Sequence, residues 1–332
     1  MNLGSILTIG NFNYCNPTIN TENVDVNSVT IVFNFSDENV QRFIPFENLR
    51  DYASRVIYNF PNAKNIKIEN VDIFGSIIAP NADVEIINGE LRGQVISESL
   101  KMTWVNMNDL VIFNGDIKNN DSQSISLGNI VNGDESTQSE DDGEIVQNVI
   151  QTNDQNNVPN VVTDSVPITI PGTGTGGNPN CKVDEFPLGI VSNFGAFSFN
   201  SFIASSSDVQ GRIAAKNVVD VSQYSINEIL YGGKRYRCDE DPLNRDFPYA
   251  VVAGTVKIND AGLYNGGIAY TDNVNGVSND IKSSIINNGC QISKIPNLID
   301  FDEVERNMNK ISEDLATLPS TGSVSLLIYF YK

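Results

Sequence analysis

Histidine is missing from the chain altogether, and with it go the commonest general base, the His-containing nucleophilic triads and most zinc and iron sites. An enzyme built on this sequence is left with paired carboxylates, a Lys or Tyr base, or an Asp/Asn metal site. Positive charge is scarce as well: 21 Lys and Arg stand against 41 Asp and Glu, a formal charge of −20. Such a chain repels a bare nucleic-acid backbone or an anionic membrane surface, so neither is an expected partner. No apolar window of about 18 residues occurs, and membrane insertion is not expected. The four cysteines, Cys15, Cys181, Cys238 and Cys290, lie far apart with no CxxC pair, which argues against a zinc ribbon or a thioredoxin-type site. Two disulfides in an oxidising compartment and four free thiols fit equally well. If a bridge forms, Cys238 and Cys290 are the expected pair, both falling in the second half of the chain.

What the chain does have is β-texture and enough apolar residues, 40% of 332, for a sizeable core. Met1 to Gly10 lacks a basic n-region and alternates apolar with small polar residues, so it reads as a strand rather than a targeting segment. Val29 to Phe35 is β-branched and aromatic, and Ile66 to Phe74 alternates with period two. Short apolar pieces follow at Ser76–Ala79, Val84–Ile87, Leu91 and Gln94–Ile96, punctuated by Pro80–Asp83, Asn88–Gly89 and Arg92–Gly93. Strands of three to five residues broken every seven to ten suit the coils of a β-solenoid, and a sandwich with tight hairpins gives a similar pattern. Asn48 to Tyr58 reads either as one short helix or as an irregular connection.

Between Asn119 and Cys181 there are nine acids and no Lys or Arg, and the Gly/Thr/Pro run from Pro167 to Pro179 reads as a tether. The chain therefore divides into a half-domain at 1–115, an acidic linker at 116–184 and a second half-domain at 185–332. The second half repeats the strand texture at 195–202, 211–221 and 249–258. It also holds the one convincing helix, about 301–318, where Phe301, Val304, Met308, Ile311, Leu315 and Leu318 recur at spacings of three and four. Asp300 or Asp302 is placed to cap it, and Pro319 to stop it.

Phe74-Gly-Ser-Ile-Ile-Ala-Pro-Asn-Ala-Asp83, continuing through Gly93 to Leu100, resembles the choice-of-anchor A family of extracellular, adhesive β-rich domains, in a run that lies near that family's C-terminal end. Arg55 to Phe60 is similar to a strand of the same family. Phe199 to Ala215, with Asp208, Gly211 and Arg212, resembles the family's beginning, so the two halves stand in reversed order. The resemblance implies a mainly β, solenoid-like or β-helix-like fold with one amphipathic helix, circularly permuted. It marks Gly75, Ala79, Pro80, Asn81, Asp83, Gly93, Asp208, Gly211 and Arg212 as structural motif residues. In family order the last strand, 324–331, runs on toward residues 3–9. A permutant closed within one chain, a piece of a tandem array, and exchange of halves between molecules all fit. Met102-Thr-Trp-Val-Asn106 departs from the family pattern, which is more polar at this point.

Several motifs have plainer readings. Leu318-Pro-Ser-Thr-Gly322 matches a sortase signal, yet only a short apolar stretch and Lys332 follow it, and a turn after the helix explains it better. Asn34-Phe-Ser36 and Asn120-Asp-Ser122 are sequons, with Asn34 expected to be buried or paired in its strand. The turns Asn81–Asp83 and Ser205–Asp208 offer oxygen ligands for Ca²⁺, although solvated turns are the better reading and no cofactor is expected. Asp72, Glu85 and Glu90 alternate with apolar neighbours and read as outer faces rather than as a glycosidase pair. Thr arrays of the kind that mark an ice-binding face are absent from the strands. The expectation is a non-enzymatic adhesion or assembly module outside the cell or on a cell or spore surface, working by a surface ligand or by self-association. The alternatives are a coat or fibre subunit and, less favoured, a carbohydrate-active enzyme.

Overall fold

The computed structural model describes residues 6–8, 30–40, 47–107, 111–115, 187–228, 238 and 247–318. The acidic segment 116–184, Cys15, Cys181, the Asn120 sequon, the turn after Leu318 and the strand expected at 324–331 lie outside these residues.

The strands are β1 (Ile6–Thr8), β2 (Ile31–Asn34), β3 (Asn39–Val40), β4 (Val56–Asn59), β5 (Asn65–Glu69), β6 (Ile73–Phe74), β7 (Ser76–Arg92), β8 (Val95–Met107), β9 (Phe194–Val209), β10 (Arg212–Ile226), β11 (Tyr249–Asn259), β12 (Gly262–Leu263), β13 (Gly267–Val277) and β14 (Ile292–Lys294). Every pairing among them is parallel, and the path through the sheet follows chain order from β1 to β14. In coils without insertions the register advances by 16 to 19 residues, as in Ile57 to Ser76, Val84 to Leu100 and Val218 to Ser201. This is a β-solenoid, each coil stacked on its neighbours.

The strands are longer than their turn residues suggest. β7 runs 17 residues without a break in strand structure, and Pro80–Asp83 and Asn88–Gly89 are corners inside it rather than boundaries. The Glu47–Arg55 segment is a 3-10 helix leading into β4. β8 passes straight through Met102–Asn106, the stretch expected to be more polar.

One corner needs glycine. Gly75 and Gly93 lie on successive coils at φ +139° and +157°, and a Cβ on Gly93 would sit 2.1 Å from the Gly75 carbonyl oxygen. The backbones there are too close for any side chain.

Ile66, Ile68, Val84, Ile86, Leu100, Met102, Phe202, Ala204, Val219 and Val221 fill the coil interior. The side containing β2, β4 and the first residues of β7 to β11 is apolar on its outer surface too, as fits a parallel sheet covered on both faces. Val32, Ile57, Ile78, Ile96, Phe197, Ala214 and Val252 point outward there and meet Met308, Ile311 and Leu315. Those three belong to the helix Phe301–Thr317, capped by the Asp300 carboxylate accepting from the Glu303 amide. A shorter helix, Asn279–Asn287, precedes it, so we name them α1 (279–287) and α2 (301–317). The sequence reading missed α1: only Ile281 and Ile285 are buried in it, too few to register as a periodic stripe, and its start is set by the Ser278 cap.

α2 lies along the stack with a matching pitch. Asn309, Ser312 and Leu315 bond to Asn81 of β7, Asn59 of β4 and Asn34 of β2. Three helical residues rise about 4.5 Å, close to the roughly 4.8 Å between strands, so every third residue meets the next coil. Asn59 is fully buried; its amide donates to Asn34 Oδ1 (2.7 Å) and to the Ser312 carbonyl (2.8 Å), and its Oδ1 accepts from Ser312 Oγ (2.6 Å). Asn34, the sequon residue, is buried with its Nδ2 donating to the Leu315 carbonyl (2.8 Å).

The two halves pair directly. β8 and β9 run side by side over ten register pairs from Val95–Ala196 to Met107–Val209. Fully buried Gln94 ties both flanks of the intervening segment together: its amide donates to the Phe194 and Val191 carbonyls, and its Oε1 accepts from the Phe113 N–H. At the other end Cys238 and Cys290 form a disulfide, with Cα atoms 5.2 Å apart.

Asn59→Ala leaves buried polar groups on Asn34 and Ser312 without this partner. It is expected to cost about 2–4 kcal/mol, visible as a lower urea midpoint with unchanged slope.

Candidate functional site

The flat side that no described helix covers is formed by β5, the middle of β7 and β8, and the same stretch of β9, β10 and β11. Alternation sends every second residue outward, and the register stacks those residues into rows across the coils. One row reads Asn65, Asp83, Ser99, Ser201, Val218, Thr255. The next reads Lys67, Glu85, Lys101, Ile203, Asp220, Lys257.

In the second row charge alternates in sign except at Ile203, which is 45% exposed. Lys101 pairs with Glu85 at 2.8 Å and Lys257 with Asp220 at 3.1 Å across coils, while Lys67 pairs with Glu69 along its own strand at 2.9 Å. Solvent screens these exposed pairs, so they set the pattern of the face more than its stability. A shallow open depression lies over the two rows, lined by Asn39, Lys67, Glu85, Ser99, Lys101 and Ile203 among others. Asn amides add rungs beside it, Asn65 to Asn39 and Asn217 to Asn200.

The flat side ends at a left-handed corner. Asn70, Asn88, Trp104, Ser206, Gln223 and Asp260 have φ between +47° and +61°, and the register places them one above another on successive coils. Asn and Asp tolerate this conformation by bonding locally, and Asn88 Nδ2 donates to Asn70 Oδ1 at 2.9 Å. Trp104 is the bulky member, and it is 60% exposed.

Beyond the corner, a third side presents Glu90, Asn106, Asp208 and Ser225 in one row. Burial, then repulsion from Glu228, raises the Asp208 carboxyl above its ordinary value. Buried Tyr224 donates its hydroxyl to the Asp208 carbonyl at 3.0 Å, and burial pushes that phenol well up. Glu98 is also raised, by burial and then by Glu305 and Asp83, but it sits at the α2 side of β8. There Lys216 bonds Asp302, which raises the lysine and lowers the carboxylate. The two raised carboxyls therefore stand on different sides of the coil and do not face one another.

The motif residues named from the sequence lie at several separate points of the coil. Ala79 and Pro80 are buried at the corner between the covered and flat sides. Asn81 bonds Asn309 of α2, while Asp83 lines the depression. Among the described residues no three His, Cys, Asp or Glu side chains cluster as metal ligands. Gly211 is buried between β9 and β10, and the Arg212 guanidinium lies 5.6 Å from the centre of the Phe247 ring. Sequence reading missed Gln94, Asn59 and the Trp104 column, because each is defined by partners a coil or more away.

A family model described as "Putative Ice-binding-like adhesive domain" matches residues 2–108 and 187–326. Searches of the curated proteins and of the solved structures found no match.

A carboxyl raised by folding holds its proton more tightly when folded, so its ionisation opposes folding at neutral pH. The stability recovered on acidification is complete below the unfolded value, 3.8 for Asp208. Asp208→Asn is therefore expected to raise the urea midpoint at about pH 7 and to match the wild type below pH 3.8.

Proposed function

The chain belongs to the family of Ice-binding-like adhesive domains, and from that membership we propose that it is a surface adhesion module, acting outside the cell without chemistry of its own. The observation that carries the reading is the flat side of the solenoid. A rigid parallel sheet, braced from behind by its core and by α2, presents regular outward rows to a partner of large area. Rigidity of this kind lowers the ordering cost of contact. Among the described residues no helix is long and apolar enough to cross a membrane.

The rows favour adhesion over ice binding. Charges of alternating sign and Ile203 occupy the positions where a Thr array would stand, and Thr255 is alone in the first row. Within the family we read the chain as a choice-of-anchor A type of domain with its halves reversed, on the Gly75–Leu100 and Phe199–Ala215 runs. We also read the halves as closing within one molecule, a reading supported by the in-register pairing of β8 with β9.

Beads coated with the full chain are expected to resist shear on some members of a panel of cell, polysaccharide and protein surfaces from which bare beads wash away. Lys101→Glu combined with Ile203→Asp is expected to cut that retention by about tenfold or more, since a weakening of each contact is multiplied across a coated bead. Retention no better than that of bare beads on every surface contradicts the reading.

A further inference from the structure

We propose that Trp104 anchors a binding site for the sugar rings of an uncharged polysaccharide, an inference that rests on the adhesion reading and gives its ligand a chemistry. Trp104 stands at φ +56° in a column whose other members are Asn, Ser, Gln and Asp. A bulky residue in this region is a conformational outlier. The usual compensation for such strain is burial, yet Trp104 is 60% exposed and leaves most of its indole in water. Folding gains little from this placement, and the outlier calls for a role outside folding.

The surroundings fit a sugar. Register puts Asn88 and Ser206 on the coils on either side of Trp104, and Thr103 and Asn106 flank it on its own strand. Asn106 is exposed and its Oδ1 accepts from Ser207 Oγ, so its amide N–H groups are the part that can donate to a sugar hydroxyl. An indole face bordered by amides and hydroxyls offers an apolar plane for the C–H face of a pyranose, with donors and acceptors at the rim for its hydroxyls. Charge decides between classes of glycan. A chain of formal charge −20 repels uronate-rich or sulfated polymers, whereas a neutral polysaccharide meets no such barrier.

Trp104 is the only tryptophan in the chain, so tryptophan emission reports this one corner. The full chain would be titrated with cellohexaose, mannohexaose, maltohexaose and chitohexaose, and with oligoalginate as the anionic control. The expected result is a saturable blue shift with one or more of the neutral probes and none with oligoalginate. Calorimetry of Trp104→Asn with the responding probe should show at least about tenfold weaker binding, with thermal unfolding at the wild-type temperature or above it. A flat response to all four neutral probes overturns the proposal, as does a response to oligoalginate alone, or undiminished binding by Trp104→Asn. A concentration-dependent emission shift without sugar, together with dimers in sedimentation, overturns it in favour of self-association. If wild-type beads adhere while no oligosaccharide titrates, only the glycan site fails; if the beads adhere nowhere, the adhesion reading itself fails.

Discussion

Strands β8 and β9 are neighbours in the sheet although a long segment of chain separates them, and the continuity of the solenoid depends on their contact. Closing a loop of this length costs on the order of 4 kcal/mol in chain entropy. Against it stand ten register pairs and the burial of Val95, Leu100 and Met102 beside Ala196, Phe202 and Ala204. At roughly 1.5–3 kcal/mol for each large apolar side chain, a few of these contacts exceed the closure cost. Gln94 adds direction, since one buried amide bonds segments on both flanks of the loop.

The other features inherit this junction. α2 begins near β9 and β10, where the Phe301 ring lies 5.2 Å from Phe197 and Asp302 bonds Lys216, and it reaches Asn34 of β2 at its far end. The helix thus straps coils of the second half to coils of the first, and its three-residue step keeps pace with the stack. The flat side crosses the junction as well, because Lys101 and Ile203 are register partners. So does the left-handed corner, with Trp104 on β8 and Ser206 on β9. A slip of one residue between β8 and β9 would turn Lys101 inward and Met102 out, which the apolar core opposes strongly.

The solenoid texture, the α2 stripe and a capping Asp at 300 or 302 were legible in the sequence because they are local: period two, period 3.6 and a capping side chain each show within a few residues, and the structure puts the cap on Asp300. The corners were less so. Asn88-Gly89 signals a turn, but whether a turn ends a strand or bends one depends on backbone pairing 16 to 19 residues away, and β7 continues through it. Buried polar residues were the least legible. Nothing around Gln94 or Asn59 distinguishes them from exposed amides until the coil above and the helix behind are in place. Trp104 drew notice only as a departure from an expected polar stretch; its meaning needed the φ angle and the column it interrupts.

The most direct test of single-chain closure is a cysteine pair across the junction. Lys101→Cys with Ile203→Cys, in a chain whose Cys15 and Cys181 are changed to Ser, places two thiols on register partners of neighbouring outward strands. Mild oxidation, sizing and peptide mass spectrometry then report which thiols join and in which species. The account predicts a 101–203 cross-link within the monomer. The same link found only between chains in dimers or longer assemblies, or absent from a folded monomer, would contradict it.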